Sequence, residues 1–389
     1  MKPLLNAERF LILAFLAVLW AVPLSQAVVE LCRGEWPQAL ALFDQKPTAA
    51  NLRAYERELE DASQAARWLR PWAQYAQFAW FKDGGEKALL GRAGWLFYKP
   101  GVQCLTQRPD ARRGQSNATE ALAAIVSLRD QLAARGIQLL VVPAPNKESV
   151  YPEKVTRRAE RQNGVVGGET RRVLSGLKAA GVEVVDLFEL FARAKQERTP
   201  TALYLAQDSH WSPLGARLAA GAVARRIKEK GWMGAGDLEY EEKSAPVARR
   251  GDILRMLQVP ALERRVPPEA IPCLQVVRRD NHQPYRDAAG SEVLVLGDSF
   301  LRIYEKDEPR SAGFIAHLAK ELKRPLASIV NDGGASTLVR QELCRRPALL
   351  AKVKLVVWEF VERDIRLGTE GWQVLQLPAM PGQEPVPPR

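Results

Sequence analysis

Residue types that together perform acyl transfer occur in two short segments. One reads Gln207-Asp208-Ser209-His210-Trp211-Ser212-Pro213 and the other Gly297-Asp298-Ser299-Phe300. A serine hydroxyl is a weak nucleophile until a neighbouring base takes its proton, and that base works best when a carboxylate orients it. His210 is one of three histidines, with His282 and His317. Residues two apart on an extended segment point to the same side, so Asp208 can meet one imidazole nitrogen while the other faces Ser299. His282 sits in a polar stretch with no apolar strand beside it, and His317 sits in a predicted helix. Each segment alone has a plainer reading: Gly-Asp-Ser is an ordinary turn, and Asp208 is well placed to cap a helix. The pair, each at a loop beside a sheet edge, points to a Ser299–His210–Asp208 triad. Asp298 is read as a brace of the turn.

The elements that must position these residues follow from the apolar pattern. Ile137–Val142, Val182–Asp186, Val293–Leu296, Leu326–Val330 and Leu355–Trp358 are short, nearly continuous apolar runs. Such runs suit parallel strands covered on both faces. Helical patterns lie between most of them: one starts at Asn117 or Thr119 and closes at Gly136, one precedes Gly181, and one spans Leu214–Lys228 behind Pro213. The expectation is an α/β fold with a mostly parallel, doubly wound sheet and flanking helices. Parallel sheets place active sites at the carboxyl ends of their strands. Ser299 falls there, and so do other polar residues. Asn331 and Tyr304 are oxyanion candidates, Lys147 either binds an anionic substrate or braces a loop, and Arg340 is a weaker substrate candidate. The Glu359, Glu362 and Arg363 cluster reads as strand-end ion pairs.

The N-terminus addresses the chain. Phe10–Val29 is apolar behind Lys2 and Arg9 and is about long enough to span a bilayer. It is expected to be an uncleaved inner-membrane anchor or a signal peptide cut after Ala27, with the body in the periplasm either way. The four cysteines, Cys32, Cys104, Cys273 and Cys344, are widely spaced and include no CxxC pair. That spacing disfavours zinc and leaves one or two disulfides of open pairing plausible in an oxidising compartment. No metal or nucleotide cofactor is indicated. The 389 residues hold 56 Lys and Arg against 45 Asp and Glu, a net charge of +11. That charge suits an acidic polymer or a membrane surface. No zinc-finger spacing or RNA-binding signature supports nucleic acid. The expected organisation is an anchor over 1–30, a helical stalk or layer over 31–90, a catalytic domain over 91–370 with an irregular basic insertion at 236–286, and a disordered Pro-rich tail over 371–389. Within the stalk, Trp68, Trp72, Phe78, Trp80 and Phe81 are expected to pack a core. Gly94–Tyr98 reads as a strand ended by Pro100 and Gly101.

Taken in order, several of these segments carry a resemblance. Gly94-Trp95-Leu96-Phe97-Tyr98, Pro145-Asn146-Lys147 with Tyr151-Pro152, Asp208-Ser209-His210-Trp211, Gly297-Asp298-Ser299-Phe300, Asn331-Asp332-Gly333-Gly334 and Val357-Trp358-Glu359-Phe360-Val361-Glu362-Arg363 are similar to motifs of the periplasmic alginate O-acetyltransferase family. These are the J- and X-type proteins with an SGNH-hydrolase-like domain. The resemblance spans roughly residues 50–368 and is closer to the J type, whose members carry an N-terminal anchor and lack the C-terminal carbohydrate-binding domain of the X type. It implies Ser299 as nucleophile, His210 as general base and Asp208 as its orienting carboxylate. It also implies a polysaccharide acceptor and an acetyl donor supplied by a membrane-bound O-acyltransferase. Relatives also acetylate cellulose, so the polymer stays open, with alginate favoured by the charge. An acetylesterase with the same triad and a non-catalytic scaffold of an export complex are the alternatives.

Overall fold

The computed structural model describes residues 7–43, 46, 48–106, 117–162, 164, 166–197, 201–332, 334–367 and 371–378. Two compact units emerge: residues 1–82 with 258–264, and residues 83–257 with 265–389.

The first unit is helical. Helix α1 (Ala7–Cys32) is followed by α2 (Ala49–Ala62), α3 (Gln64–Ala76) and a π-helical turn, Gln77–Phe81. Helix α1 is apolar, faces outward along its length and is long enough to cross a membrane. Thr48 caps α2 through Asn51 N–H, and Ser63 caps α3 through Ala66 N–H, so one serine separates two helices. Of the five aromatic residues expected to pack a core, Phe78 alone is half-buried. Trp68, Trp72, Trp80 and Phe81 are exposed, and α3 contains no buried residue. A helical apolar stripe shows that one face wants cover, and no described residue of this unit buries it.

The second unit is built on a five-stranded sheet. Its strands are β1 (Gln138–Ala144), β2 (Glu183–Val184), β3 (Val293–Gly297), β4 (Ala327–Val330) and β5 (Leu355–Val361). They lie in the order β4-β3-β5-β1-β2, and every pairing is parallel. The five apolar runs are therefore the five strands. Alternate residues of each strand feed two cores on opposite faces of the sheet. Leu140, Val142, Val293, Val295 and Val357 meet α6 (Pro213–Glu229) and α8 (Phe314–Leu322). Leu139, Val141, Leu294, Leu296 and Val356 meet α4 (Asn117–Ala133), α5 (Gly168–Ala179) and α9 (Leu338–Arg345). Helix α7 (Ser299–Arg302) is a single turn at the end of β3. Pro213 occupies the first turn of α6, and the Ser212 hydroxyl accepts from Gly215 N–H.

Several local expectations change. Leu96–Tyr98 is a strand paired with Ala88–Leu90, but Pro100 and Gly101 do not end a segment; they lie inside a helix, Lys99–Thr106, where proline is tolerated in the first turn. The 236–286 region holds two antiparallel pairs, Tyr240–Ser244 with Leu274–Arg278 and Val247–Arg249 with Glu269–Ile271. No disulfide forms: all four cysteines are free. Cys104 and Cys273 are enclosed, and burial pushes both thiols up to about 12. The stretch 371–378 packs on the sheet, with Trp372 5.0 Å from the Phe360 ring and 5.7 Å from that of Trp358. The rest of the predicted tail, 379–389, lies outside the described residues.

Candidate active site

Strand β3 delivers Ser299 to the carboxyl edge of the sheet. Asp298 caps the turn, its carboxylate accepting from Phe300 N–H at 2.8 Å, while Glu359 on neighbouring β5 accepts from Asp298 N–H at 3.3 Å. A Cβ on Gly297 would meet the buried side chains of Leu301 at 2.3 Å and Glu359 at 2.6 Å, so glycine lets these two side chains close on the strand end. The turn leaves the Ser299 N–H without an acceptor among the described residues.

The second segment meets it. His210 Nε2 lies 2.8 Å from Ser299 Oγ, and His210 Nδ1 lies 2.6 Å from Asp208 Oδ1. The same Asp208 oxygen accepts from His210 N–H at 3.0 Å, which fixes the loop as well as the ring. Trp211 links the two segments: its indole N–H donates to Phe300 O at 3.0 Å, and its ring meets those of Phe300 and Phe314. The structure thus brings Asp208, His210 and Ser299 into one hydrogen-bonded chain.

The insertion supplies residues that the sequence reading missed. Arg249 donates to Asp208 Oδ2 at 3.3 Å, and Asp252 N–H donates to the same oxygen at 3.2 Å. Arg249 also pairs with Asp307. Ser209 donates to Asp252 through both its N–H and its hydroxyl, which leaves Asp252 Oδ2 3.7 Å from His210 Nδ1. Glu269 accepts from the N–H groups of Ala206 and Gln207. A Cβ at Gly251 would fall 2.0 Å from Gln207 O, so the insertion reaches the Asp208 loop only because residue 251 is glycine. The one available signal was Arg-Gly-Asp in an otherwise irregular stretch, and no spacing rule attaches it to a site 44 residues earlier.

Electrostatics keep Asp208 ionised and favour the protonated form of His210 beside it. Burial raises the Asp208 carboxyl, but the charges of His210 and Arg249 outweigh it and hold the group well below the usual carboxylate range. Burial opposes charge on His210, and Asp208 with Asp252 outweighs it, so the imidazole titrates above its ordinary value. Asp208, His210 and Asp252 each offer a ligand atom within 4.8 Å of one another. Those atoms already hold protein partners: Asp208 is saturated by His210, Arg249 and Asp252 N–H, and Asp252 by Ser209.

A prediction follows for pH. A base must be neutral, so activity falls as pH drops through the His210 value, with the acid limb above the ordinary histidine range. Asp252→Asn removes a charge that raises that value, so the limb moves to lower pH. The pH profile of 4-nitrophenyl acetate hydrolysis reads this. A lowered plateau with an unmoved limb would reduce Asp252 to loop support.

The other sequence candidates land as follows. Lys147 is not an anion binder. Its ammonium donates to the carbonyls of Leu96 (2.6 Å), Ala206 (2.9 Å) and Asp208 (3.0 Å) and lies 5.0 Å from the rings of Trp95 and Phe97. All three donors are spent on backbone, and burial lowers the group to about 8. Lys147→Met keeps the length of the chain but strands three carbonyls, and is expected to cost roughly 3 kcal/mol or more of stability, measured by urea unfolding. A variant as stable as the parent would refute the brace. Tyr304 is fully buried, and its hydroxyl donates to Trp211 O. Arg340 is also buried: it donates to Ser336 O and Gln373 O and lies over Trp358, which leaves it no role at the site. Asn331 ends β4 beside β3, its N–H donating to Gly297 O at 3.1 Å. The expected strand-end ion pairs are not formed either. Glu362 accepts from Asn146 N–H, Ser149 and Thr170. Arg363 has no carboxylate at ion-pair distance among the described residues; its half-buried guanidinium lies between the rings of Tyr98 (5.2 Å) and Phe300 (5.8 Å), the latter 5.1 Å from the His210 ring.

The chain has relatives among known proteins. The family model described as SGNH hydrolase-like domain, acetyltransferase AlgX, matches residues 88–362. The chain is 26% identical over 295 residues to the "Probable alginate O-acetylase AlgJ" of Azotobacter vinelandii, covering 73% of this chain and 71% of that protein. It is 24% identical over 331 residues to the protein of the same name from Pseudomonas aeruginosa, covering 78% of each. The fold matches the O-acetyltransferase domain of Pseudomonas putida AlgJ with a TM-score of 0.58 at 22% identity, over 72% of this chain and 92% of that one.

Proposed function

Because the chain belongs to the family of SGNH hydrolase-like domains of the acetyltransferase AlgX, we propose that it is an O-acetyltransferase that moves acetyl groups onto hydroxyls of an alginate-type uronate polymer. The observation that carries this reading is the chain Ser299 Oγ–His210 Nε2, His210 Nδ1–Asp208 at 2.8 and 2.6 Å. The names of the relatives, alginate O-acetylases matched over more than two thirds of their length, support the substrate. So does the net charge of +11, which suits an acidic polymer.

In the reaction His210 Nε2 takes the Ser299 proton as Oγ attacks the acetyl carbonyl of the donor. The oxyanion is met by the Ser299 N–H, with Asn331, which follows β4 beside β3, as the candidate second donor. His210 returns the proton to the departing donor oxygen as that bond breaks, which leaves acetyl-Ser299. A sugar hydroxyl then gives its proton to His210 and attacks the ester, and Ser299 leaves with the proton back on Oγ. Asp208 stays ionised throughout and balances the imidazolium. Helix α1 anchors the protein at the inner membrane with its body in the periplasm, where a membrane-bound O-acyltransferase provides the acetyl donor.

The test is purified protein with an acetyl-ester donor and oligomannuronate, read by mass spectrometry. Acetylated oligomannuronate is expected, with cello-oligosaccharide a much poorer acceptor. Free acetate without acetylated sugar would reject transfer in favour of an esterase. Equal use of both acceptors would reject the uronate assignment.

A further inference from the structure

Helix α3 and the turn after it leave large apolar side chains in the open. Trp68 is 71% exposed, Trp72 66%, Trp80 78% and Phe81 76%, with Leu69 and Tyr75 beside them. Trp68, Trp72 and Tyr75 stand at i, i+4 and i+7, so they form one line along α3. A contiguous patch of this size on a soluble surface marks an interaction face.

The position of α3 names the partner. Its first residue is tied to α1: Gln64 N–H donates to the Gln26 side-chain oxygen at 2.8 Å, and the Gln26 side-chain nitrogen donates to Ala62 O at 3.1 Å. The same nitrogen donates to Glu30 at 2.7 Å. Gln26 and Glu30 are the polar residues that close the apolar stretch of α1. Phe10 to Val29 rises about 28 Å along a helix, close to the roughly 30 Å thickness of the hydrocarbon layer. Val29 and Glu30 therefore stand where the hydrocarbon meets the headgroups, Gln26 lies about one turn inside that edge, and α3 starts near it. Trp36, 76% exposed, follows α1 at the same end. Tryptophan and tyrosine carry an apolar ring with a polar handle and collect at this depth of a bilayer.

We propose that the Trp68–Trp72–Tyr75 face of α3, with Trp80 and Phe81, is a membrane-interface platform that lies in the lipid headgroup layer where α1 emerges. It rests on α1 crossing the membrane as proposed above.

The experiment uses the full chain in vesicles of phosphatidylethanolamine and phosphatidylglycerol whose acyl chains carry bromine at a shallow or a deep position. Bromine quenches tryptophan fluorescence only on contact. Trp20, in the middle of α1, reports the deep bromines, and the α3 platform reports the shallow ones. The triple variant Trp68→Ser, Trp72→Ser, Trp80→Ser is expected to lose at least about half of the shallow quenching and none of the deep. An unchanged melting temperature shows that it remains folded. Equal shallow quenching in parent and variant would overturn the platform. A parent that is dimeric in detergent and becomes monomeric in the variant would overturn it too, since a second copy would then be the cover. Loss of deep quenching in the parent would instead overturn the α1 span, so the two failures are told apart.

Discussion

Ser299→Ala is expected to lower acetyl transfer by at least about ten-thousandfold, the scale on which serine nucleophiles fail when their hydroxyl is removed. The fold should be unaffected, because the Ser299 hydroxyl meets only His210 and the turn is held by Asp298, Glu359 and Gly297. The assay is acetylated oligomannuronate formed per unit time, beside a melting curve. A second readout reaches the intermediate. Parent enzyme mixed with donor alone should gain one acetyl group on the peptide that contains Ser299, and adding acceptor should discharge it. Full activity of the alanine variant would remove the nucleophile assignment. Loss of activity without any acetyl-enzyme in the parent would leave the serine required but the covalent route wrong.

The fold was legible where the chain obeys simple periodicity. Strands buried on both faces become near-continuous apolar runs, and β1, β3 and β5 are such runs with helices between them. Asp208, His210 and Ser299 could be proposed because two local rules, spacing in an extended segment and placement after a strand, act over a few residues. What surrounds them obeyed no local rule. Arg249, Asp252 and Glu269 reach the Asp208 loop from an insertion with short strands, and only tertiary structure shows that they arrive. Lys147 stayed open between an anion site and a loop brace because a lysine at a strand end usually faces solvent; here three backbone carbonyls consume it. The aromatic face of α3 was visible as a pattern, but periodicity reports that a face is apolar and is silent on whether protein or lipid covers it.

Asp208→Asn carries the second large effect, a fall in kcat of roughly a thousandfold to ten-thousandfold. The carboxylate does two things that an amide cannot do together. It accepts from His210 Nδ1, which leaves Nε2 free to take the serine proton, and it supplies the negative charge that balances the imidazolium. An asparagine that turns its NH2 toward Nδ1 selects the wrong tautomer; one that turns its oxygen there presents its NH2 to Arg249 and Asp252 N–H, both donors. Either way one contact is lost in a residue with no exposed surface. The position of Asp252 makes the outcome informative. Its carboxylate is 3.7 Å from Nδ1 and is held there by Ser209, which is too far for a hydrogen bond but near enough to stabilise charge. If Asp208 orients the base, Asp208→Asn is severe, Asp252→Asn is mild, and the double variant is little worse than Asp208→Asn alone. If Asp252 carries the role, the order of severity reverses. Measuring kcat and the acid limb of the pH profile for all three variants decides between the two carboxylates.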